Sequence, residues 1–520
     1  MASEDGHVFL VWSDLNRLSC DAWLLPTDSH FHVVRAYWDL GDHPLPEPPQ
    51  SWLAKEVRSL PVPGWPVGSP CPYLTNVVAP DLTTTVNAAV EFVERASHDL
   101  AKGALQRTTT RRSKPLLGVP LVGTGHGGKR RAAGEVVRAL LPELTRAAER
   151  SQVDVALVLY DEVEYAAAQA ARESSPSLWP GLDDAQREHA TALAERARTG
   201  QLVLFMGSGV SVPAGGPTWR ELIARLAERA ALDADERAAL DKLGPLDAAR
   251  VVEDRLALHG ERIHDVVKTL VPNQRFSLTH ALLAGLRVRE AVTTNYDQLY
   301  EKACARPHGA EPASLPVDAS KTARSWVLKM HGSFAAGDDI VLTRTDYLRY
   351  ETRRAALAGI VQALLMTRHM LFIGYSLQDE TFLRMVDAVR RAVAGPREGP
   401  AVEPLGSVLA LSDDRFFHVL WKGELDSVGF GADPDSPEAL SRASRQQEIF
   451  LDCLSSQASG TSRFLLDPRF SEVLTPADQE LATILADTRE KLLASDAARA
   501  SRAWPAVWEL FSALGARERE

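Results

Sequence analysis

Cysteine is scarce: Cys20, Cys71, Cys304 and Cys453 are the four in 520 residues. No pair has the short spacing of a zinc knuckle or a redox motif, so reduced, structural thiols and no bound metal are expected. Basic charge is short as well. A net charge of −11 argues against the broad positive field that nucleic-acid binding needs, so no direct nucleic-acid partner is expected. No apolar stretch approaches the roughly 18 residues of a membrane span, and the opening Met-Ala-Ser-Glu-Asp-Gly has no positive region of a signal peptide. A soluble cytoplasmic protein without a membrane partner is the expectation. Repeats and low-complexity tracts are missing too. What is present is 45% hydrophobic residues, enough to fill the cores of about two to four domains.

The run from Glu173 to Asp183 is rich in Ser, Pro and Gly and breaks both helical and strand periodicity. It predicts a linker over 173–184 between a first domain, 1–172, and a second, 185–430. After Phe430 the pattern turns charged and helical, with Trp504, Val507, Trp508 and Phe511 at helical spacing, which predicts a helical C-terminal extension over 431–520.

The second domain alternates short apolar runs, Leu202–Met206, Glu290–Thr294, Met370–Gly374 and Ser407–Leu411, with helical stretches. That is the pattern of an α/β fold built on a Rossmann-like parallel sheet, whose ligands sit at the carboxyl ends of the strands. The first run leads into Gly207, Ser208, Gly209, Val210 and Ser211, then into a helix opened by a capping box of Thr218 and Glu221. Glycines let a backbone approach a phosphate and a helix start favours its charge, although a βα turn without ligand has the same composition. Gly-Lys-Ser/Thr is absent, so this is no Walker loop. The second run ends in Asn295 and Asp297, which offer donor and acceptor groups to ribose hydroxyls or a water, or simply form a turn. His331 follows in a short apolar segment, and His is either structural or suited to proton transfer near neutral pH. The last group is Gly374, Tyr375 and Ser376, with Asp379 capping a helix over Glu380–Val393.

Four such groups, in order after successive strands, resemble the NAD-binding and catalytic motifs of the sirtuins over residues 185–430. The resemblance implies that Gly207, Ser208, Gly209 and Ser211 line the NAD phosphates and that Trp219 and Arg220 sit on the cofactor loop. It implies that Asn295 and Asp297 hold the nicotinamide ribose region, with Asn295 and His331 as catalytic residues. Gly374, Tyr375 and Ser376 would meet the adenosine half. Protein-deacylating sirtuins carry two CxxC pairs for a structural zinc, and none is present here. The chain instead resembles the zinc-free sirtuin-like NAD glycohydrolases of bacterial anti-phage systems, with Thoeris effectors as the nearest analogy. NAD as substrate, and self-association, are implied by that likeness.

In the first domain a strand reading over Asp21–Asp28, a glycine loop over Gly118–Gly128 and an apolar run over Val153–Tyr160 are again α/β. Gly123, Gly125, Gly127 and Gly128, with Thr124 and His126 between them, precede a helical stretch and offer amides to phosphates, or form a ligand-free turn. These segments resemble a macro domain, a fold that binds ADP-ribose. By that likeness Asp14 contacts adenine, Asp28 lies near the distal ribose and the glycine loop holds the diphosphate. An ADP-ribose-derived nucleotide signal that gates the second domain is the implied arrangement. The same residues also fit two other functions: an NAD-dependent deacylase or ADP-ribosyltransferase, and a non-catalytic NAD or ADP-ribose scaffold.

Overall fold

The structure is a computed structural model. It describes residues 5–79, 81–124, 133–173, 179–271, 274–306, 311–318, 322–337, 340–393, 403–412, 416–421, 423–460 and 462–516. Two sheets organise it. The first contains β1 (Val8–Trp12), β2 (Ala22–Thr27), β3 (Ser59–Pro61), β4 (Cys71–Asn76), β5 (Leu116–Pro120) and β6 (Asp154–Leu159), in the order β1-β6-β5-β2-β4-β3. Only β3 runs antiparallel to its neighbour. The second contains β7 (Leu202–Met206), β8 (Glu290–Thr293), β9 (Ala313–Leu315), β10 (Trp326–Lys329), β11 (His369–Ile373), β12 (Gly406–Ser412) and β13 (Leu425–Ala432), in the order β13-β12-β11-β7-β8-β10-β9. All its pairings are parallel, so each crossover needs a long connection, and helices fill that role. β7 and β11 are buried throughout because helices cover both faces, which is why they read as unbroken apolar runs.

The expected α/β class with a parallel sheet is therefore what forms, and the helix expected over 380–393 spans Glu380–Val393. The capping box of Thr218 and Glu221 opens the helix Trp219–Arg229. Between β7 and β8 the chain makes a helical module. Leu226, Ala249, Val252, Leu256 and Val267 form its core, against Tyr296, Ile340 and Leu342 of the sheet's rim.

The two sheets share a core. Phe9, Val11 and Leu18 of the first lie in one cluster with Leu204, Phe276 and Leu282 of the second, joined by Ile449, Phe450, Leu451 and Leu454. Those last four belong to the helix Pro437–Ala458, which packs on β1, β12, β13 and the helices Asp184–Arg198 and Leu278–Gly285. Each of the four is fully buried, contributing about 1.5–3 kcal/mol apiece. The segment expected as a helical extension thus begins inside the molecule. No helix among the described residues is long and apolar enough to cross a membrane.

Candidate active site

Register brings the second domain's candidate residues to one level. Met206 of β7 pairs with Thr293 of β8 and with Ile373 of β11, and Thr293 pairs with Lys329 of β10. Gly207, Asn295, His331 and Gly374 therefore follow four adjacent strands at the same rim. Between β7 and β11 the chain changes its direction of travel across the sheet, the place where such folds open a ligand crevice.

At that point the glycines are needed for backbone packing. The Gly207 and Gly209 amides donate to the Ile373 and Gly374 carbonyls, both at 3.0 Å. A Cβ on Gly207 would lie 2.4 Å from the Gly374 carbonyl oxygen, and one on Gly209 would lie 2.7 Å from the Gly374 Cα. Gly374 itself has φ +61°, and its Cβ would lie 2.5 Å from the Val210 nitrogen. Ser208 and Gly209 stay exposed, as do Arg220 and Ser376. Trp219 packs partly buried against the helical module.

The Asn295 side chain is clamped from one side. Its Nδ2 donates to the Gly207 carbonyl at 3.1 Å and to Ser211 Oγ at 3.2 Å. Ser211 Oγ donates in turn to Asp297 Oδ2 at 2.9 Å, and Asp297 Oδ1 accepts the Leu299 amide at 3.1 Å. The amide oxygen, Asn295 Oδ1, is buried without a hydrogen-bond partner. Beneath this group Lys329, nearly sealed from solvent, pairs with Glu301 at 3.0 Å and donates to the Asp297 carbonyl.

His331 is 5% exposed. Its carbonyl accepts the Val341 amide at 2.8 Å, and its ring meets Tyr347 at 5.4 Å and Tyr350 at 6.3 Å, both edge-on. Burial pushes its ionisation down; Asp379 opposes this and Arg354 adds to it, so the imidazole is neutral near pH 7. Its Nε2 has no hydrogen-bond partner, and neither do the buried hydroxyls of Tyr350 and Tyr375. Buried polar atoms rarely go unpaired in a closed core, and four of them gather at this rim. Asn295 and His331 thus stand at neighbouring strand ends with unpaired groups, whereas Arg220 and Ser376 face solvent.

The sequence did not signal Tyr347, Tyr350 or Arg354. Their i, i+3, i+7 spacing was the available clue, although Arg354 itself sits at a kink with φ −129°.

In the first domain Asp14, Asp28 and Gly123 follow β1, β2 and β5 at one sheet edge. Asp14 accepts from the Asn16 amide at 2.9 Å and caps the turn Leu15–Arg17. Asp28 accepts the His30 and His32 amides at 2.8 and 3.0 Å. Gly123 has φ +77°, and Thr124 Oγ1 donates to the Leu121 carbonyl. Gly125, His126, Gly127 and Gly128 lie outside the described residues.

Residues 289–416 match the family described as SIR2-like domain. The chain is also similar to a Bacillus subtilis protein named defense-associated sirtuin 2, with 27% identity over 40% of this chain and 21% of that protein. It is 30% identical to an Acinetobacter baumannii protein named NAD(+) hydrolase ThsA, over 36% of this chain and 39% of that one. A Bacillus cereus protein of the same name is 27% identical over 36% and 40% of the respective chains. The chain thus spans less than half the length of these relatives, and the matched family segment, 289–416, lies within the second domain.

Proposed function

We propose that the second domain hydrolyses NAD to nicotinamide and ADP-ribose as an effector of anti-phage defence by NAD depletion, and that an ADP-ribose-derived nucleotide at the first domain gates it. The observation that carries the reading is the unpaired buried oxygen Asn295 Oδ1 beside the neutral ring of His331, at level ends of adjacent strands. The names of the relatives, NAD(+) hydrolase and defense-associated sirtuin, support it.

Breaking the C1′–N bond needs little acid catalysis, because the pyridinium keeps the electron pair and leaves as neutral nicotinamide. The demand falls on stabilising an oxocarbenium-like ribose and placing one water. With Nδ2 tied to Gly207 and Ser211, Asn295 has only its oxygen left to hold a ribose hydroxyl or the water. The water forms the new C1′–O bond and gives up one proton, which a neutral His331 accepts and later releases to solvent. Ser211 and Asp297 fix the Asn295 amide from behind.

The test is a mass spectrum of NAD incubated with the full chain, with and without ADP-ribose and its conjugates. Nicotinamide and ADP-ribose should appear without any acceptor, and Asn295→Ala and His331→Ala should each remove most of the turnover. Turnover only with an acyl-lysine or other acceptor would make the protein a deacylase or transferase, and binding without turnover would make it a scaffold. Self-association is a separate proposal, read from native mass under the same conditions.

A further inference from the structure

Asp379 ends the segment after β11 and caps the helix Glu380–Val393, its Oδ1 accepting the Phe382 amide at 3.0 Å. A cap uses one oxygen and is served as well by Ser or Asn. The second oxygen does something else. Asp379 Oδ2 accepts the Tyr347 hydroxyl at 2.6 Å and stands 3.4 Å from His331 Nε2. The side chain is only 9% exposed, a costly position for a carboxylate whose sole duty is capping. Tyr347 is held as a donor, since burial and then the Asp379 charge push its ionisation far up. The carboxylate is therefore fixed from the helix start and from Tyr347 before it meets the imidazole.

We propose that Asp379, braced by Tyr347, is the positioning residue of His331: it accepts the hydrogen bond of the Nε2–H, fixes the tautomer and leaves Nδ1 as the acceptor for the reacting water's proton. This rests on the NAD-cleavage reading for its consequence, although the placement stands on the geometry alone. A ring nitrogen's role is set by the bond its partner nitrogen makes. At 3.4 Å the Nε2–Oδ2 approach is slightly too long and poorly aligned for a hydrogen bond, and a small rotation of the ring closes it, as happens in sites that tighten around substrate. The charged and titratable groups facing the ring are Asp379, Arg354, Tyr347 and Tyr350. Asp379 is the one anion among them.

The test uses the full chain with Asp379→Asn and Asp379→Ser, both of which keep a capping oxygen, and Tyr347→Phe. Histidine-labelled protein, with His331→Gln to assign the signal, reads the His331 titration by NMR. Loss of the carboxylate should move that titration to lower pH in both Asp379 variants, and by less in Tyr347→Phe. Turnover should fall by about 10–100-fold in kcat, with KM little changed and the acid limb of the pH profile shifted down. An unmoved His331 titration, or full kcat in Asp379→Asn, would leave Asp379 a cap and overturn the proposal. If the wild-type chain releases no nicotinamide under any condition, the NAD-cleavage reading fails, while the titration still decides the placement.

Discussion

His280 is fully buried as the N3 residue of a capping box with Ser277, whose Oγ lies 2.7 Å from its Nδ1. Burial pushes its ionisation down to about 3, with Glu301 opposing and Lys329 adding. His369, at the start of β11, is pushed down to about 4 by burial, Arg196 and His189, and its Nε2 meets Ser407 Oγ at 2.9 Å. Both rings are neutral when folded and take a proton near pH 6.5 when unfolded. The unfolded chain therefore binds more protons between about pH 6.5 and 4, and stability is lost as pH falls through that window. The melting temperature should drop from pH 7 to pH 4.5, and the double variant His280→Gln, His369→Gln should show a flatter slope; parallel slopes would refute this origin. Asp154 and Asp452, whose buried carboxylates are held below the usual range by arginine partners despite their burial, lose their contribution only at still lower pH. At this scale the sequence was informative about identity and less so about cause. Gly207, Gly209 and Gly374 were legible as special, but their shared reason, two loops pressed together, depends on strand order. Asp379 was legible as a cap because capping is local, and its approach to His331 was not, because the two lie on different strand ends.

Among the elements, the helix Pro437–Ala458 departs furthest from how its sequence looks. Arg445, Glu448 and Asp452 belong to the charged helical pattern that follows Phe430, yet all three are buried. Arg445 grips Asp154 through Nε and Nη2 at 3.0 and 2.8 Å, and Arg112 joins Asp154 at 2.8 Å and Glu448. Asp452 takes a two-pronged contact from Arg172 at 2.8 and 3.1 Å and meets His7 Nε2 at 2.9 Å. Periodicity treats charge as a sign of solvent and cannot see pairing across hundreds of residues. The same blindness hid β13, where Asp426, Gly429 and Gly431 dilute the apolar alternation of an edge strand. Core strands such as β7 and β11 were legible because helices cover both their faces. Removing one member of the network strands its partner, so Asp452→Ala should cost about 3–5 kcal/mol, read by denaturant unfolding of the full chain. A cost below about 1 kcal/mol, the range of an exposed pair, would show that the network is wetter than its burial implies.

Across the whole molecule the question is how a ligand at the first sheet would reach the second, and one route is short. The turn capped by Asp14 continues into Leu18, which forms a parallel bridge with Phe276. The Ser19 amide donates to the Phe276 carbonyl at 2.8 Å, the Phe276 amide to the Arg17 carbonyl at 3.0 Å, and Arg275 reaches the Asn16 carbonyl. One residue on, Ser277 Oγ donates to the Val210 carbonyl at 3.2 Å. Val210 precedes Ser211, and Ser211 holds Asn295 and Asp297. A ligand that moves Asp14 would therefore pull on the loop that holds the Asn295 amide, through backbone bonds and the hydroxyls of Ser277 and Ser211. Arg275→Ala removes one tie without touching the candidate site. It should leave basal nicotinamide release unchanged and reduce stimulation by the nucleotide signal by roughly 2–30-fold, the span of 0.5–2 kcal/mol in coupling energy. Reciprocity sharpens the measurement: an NAD analogue that tightens signal binding in the wild-type chain should do so by the same factor as the signal tightens the analogue, and both should shrink together in the variant. Cleavage itself releases ADP-ribose, so initial rates are the ones to compare. Equal stimulation in wild type and Arg275→Ala would mean that the Arg275 tie does not carry the coupling.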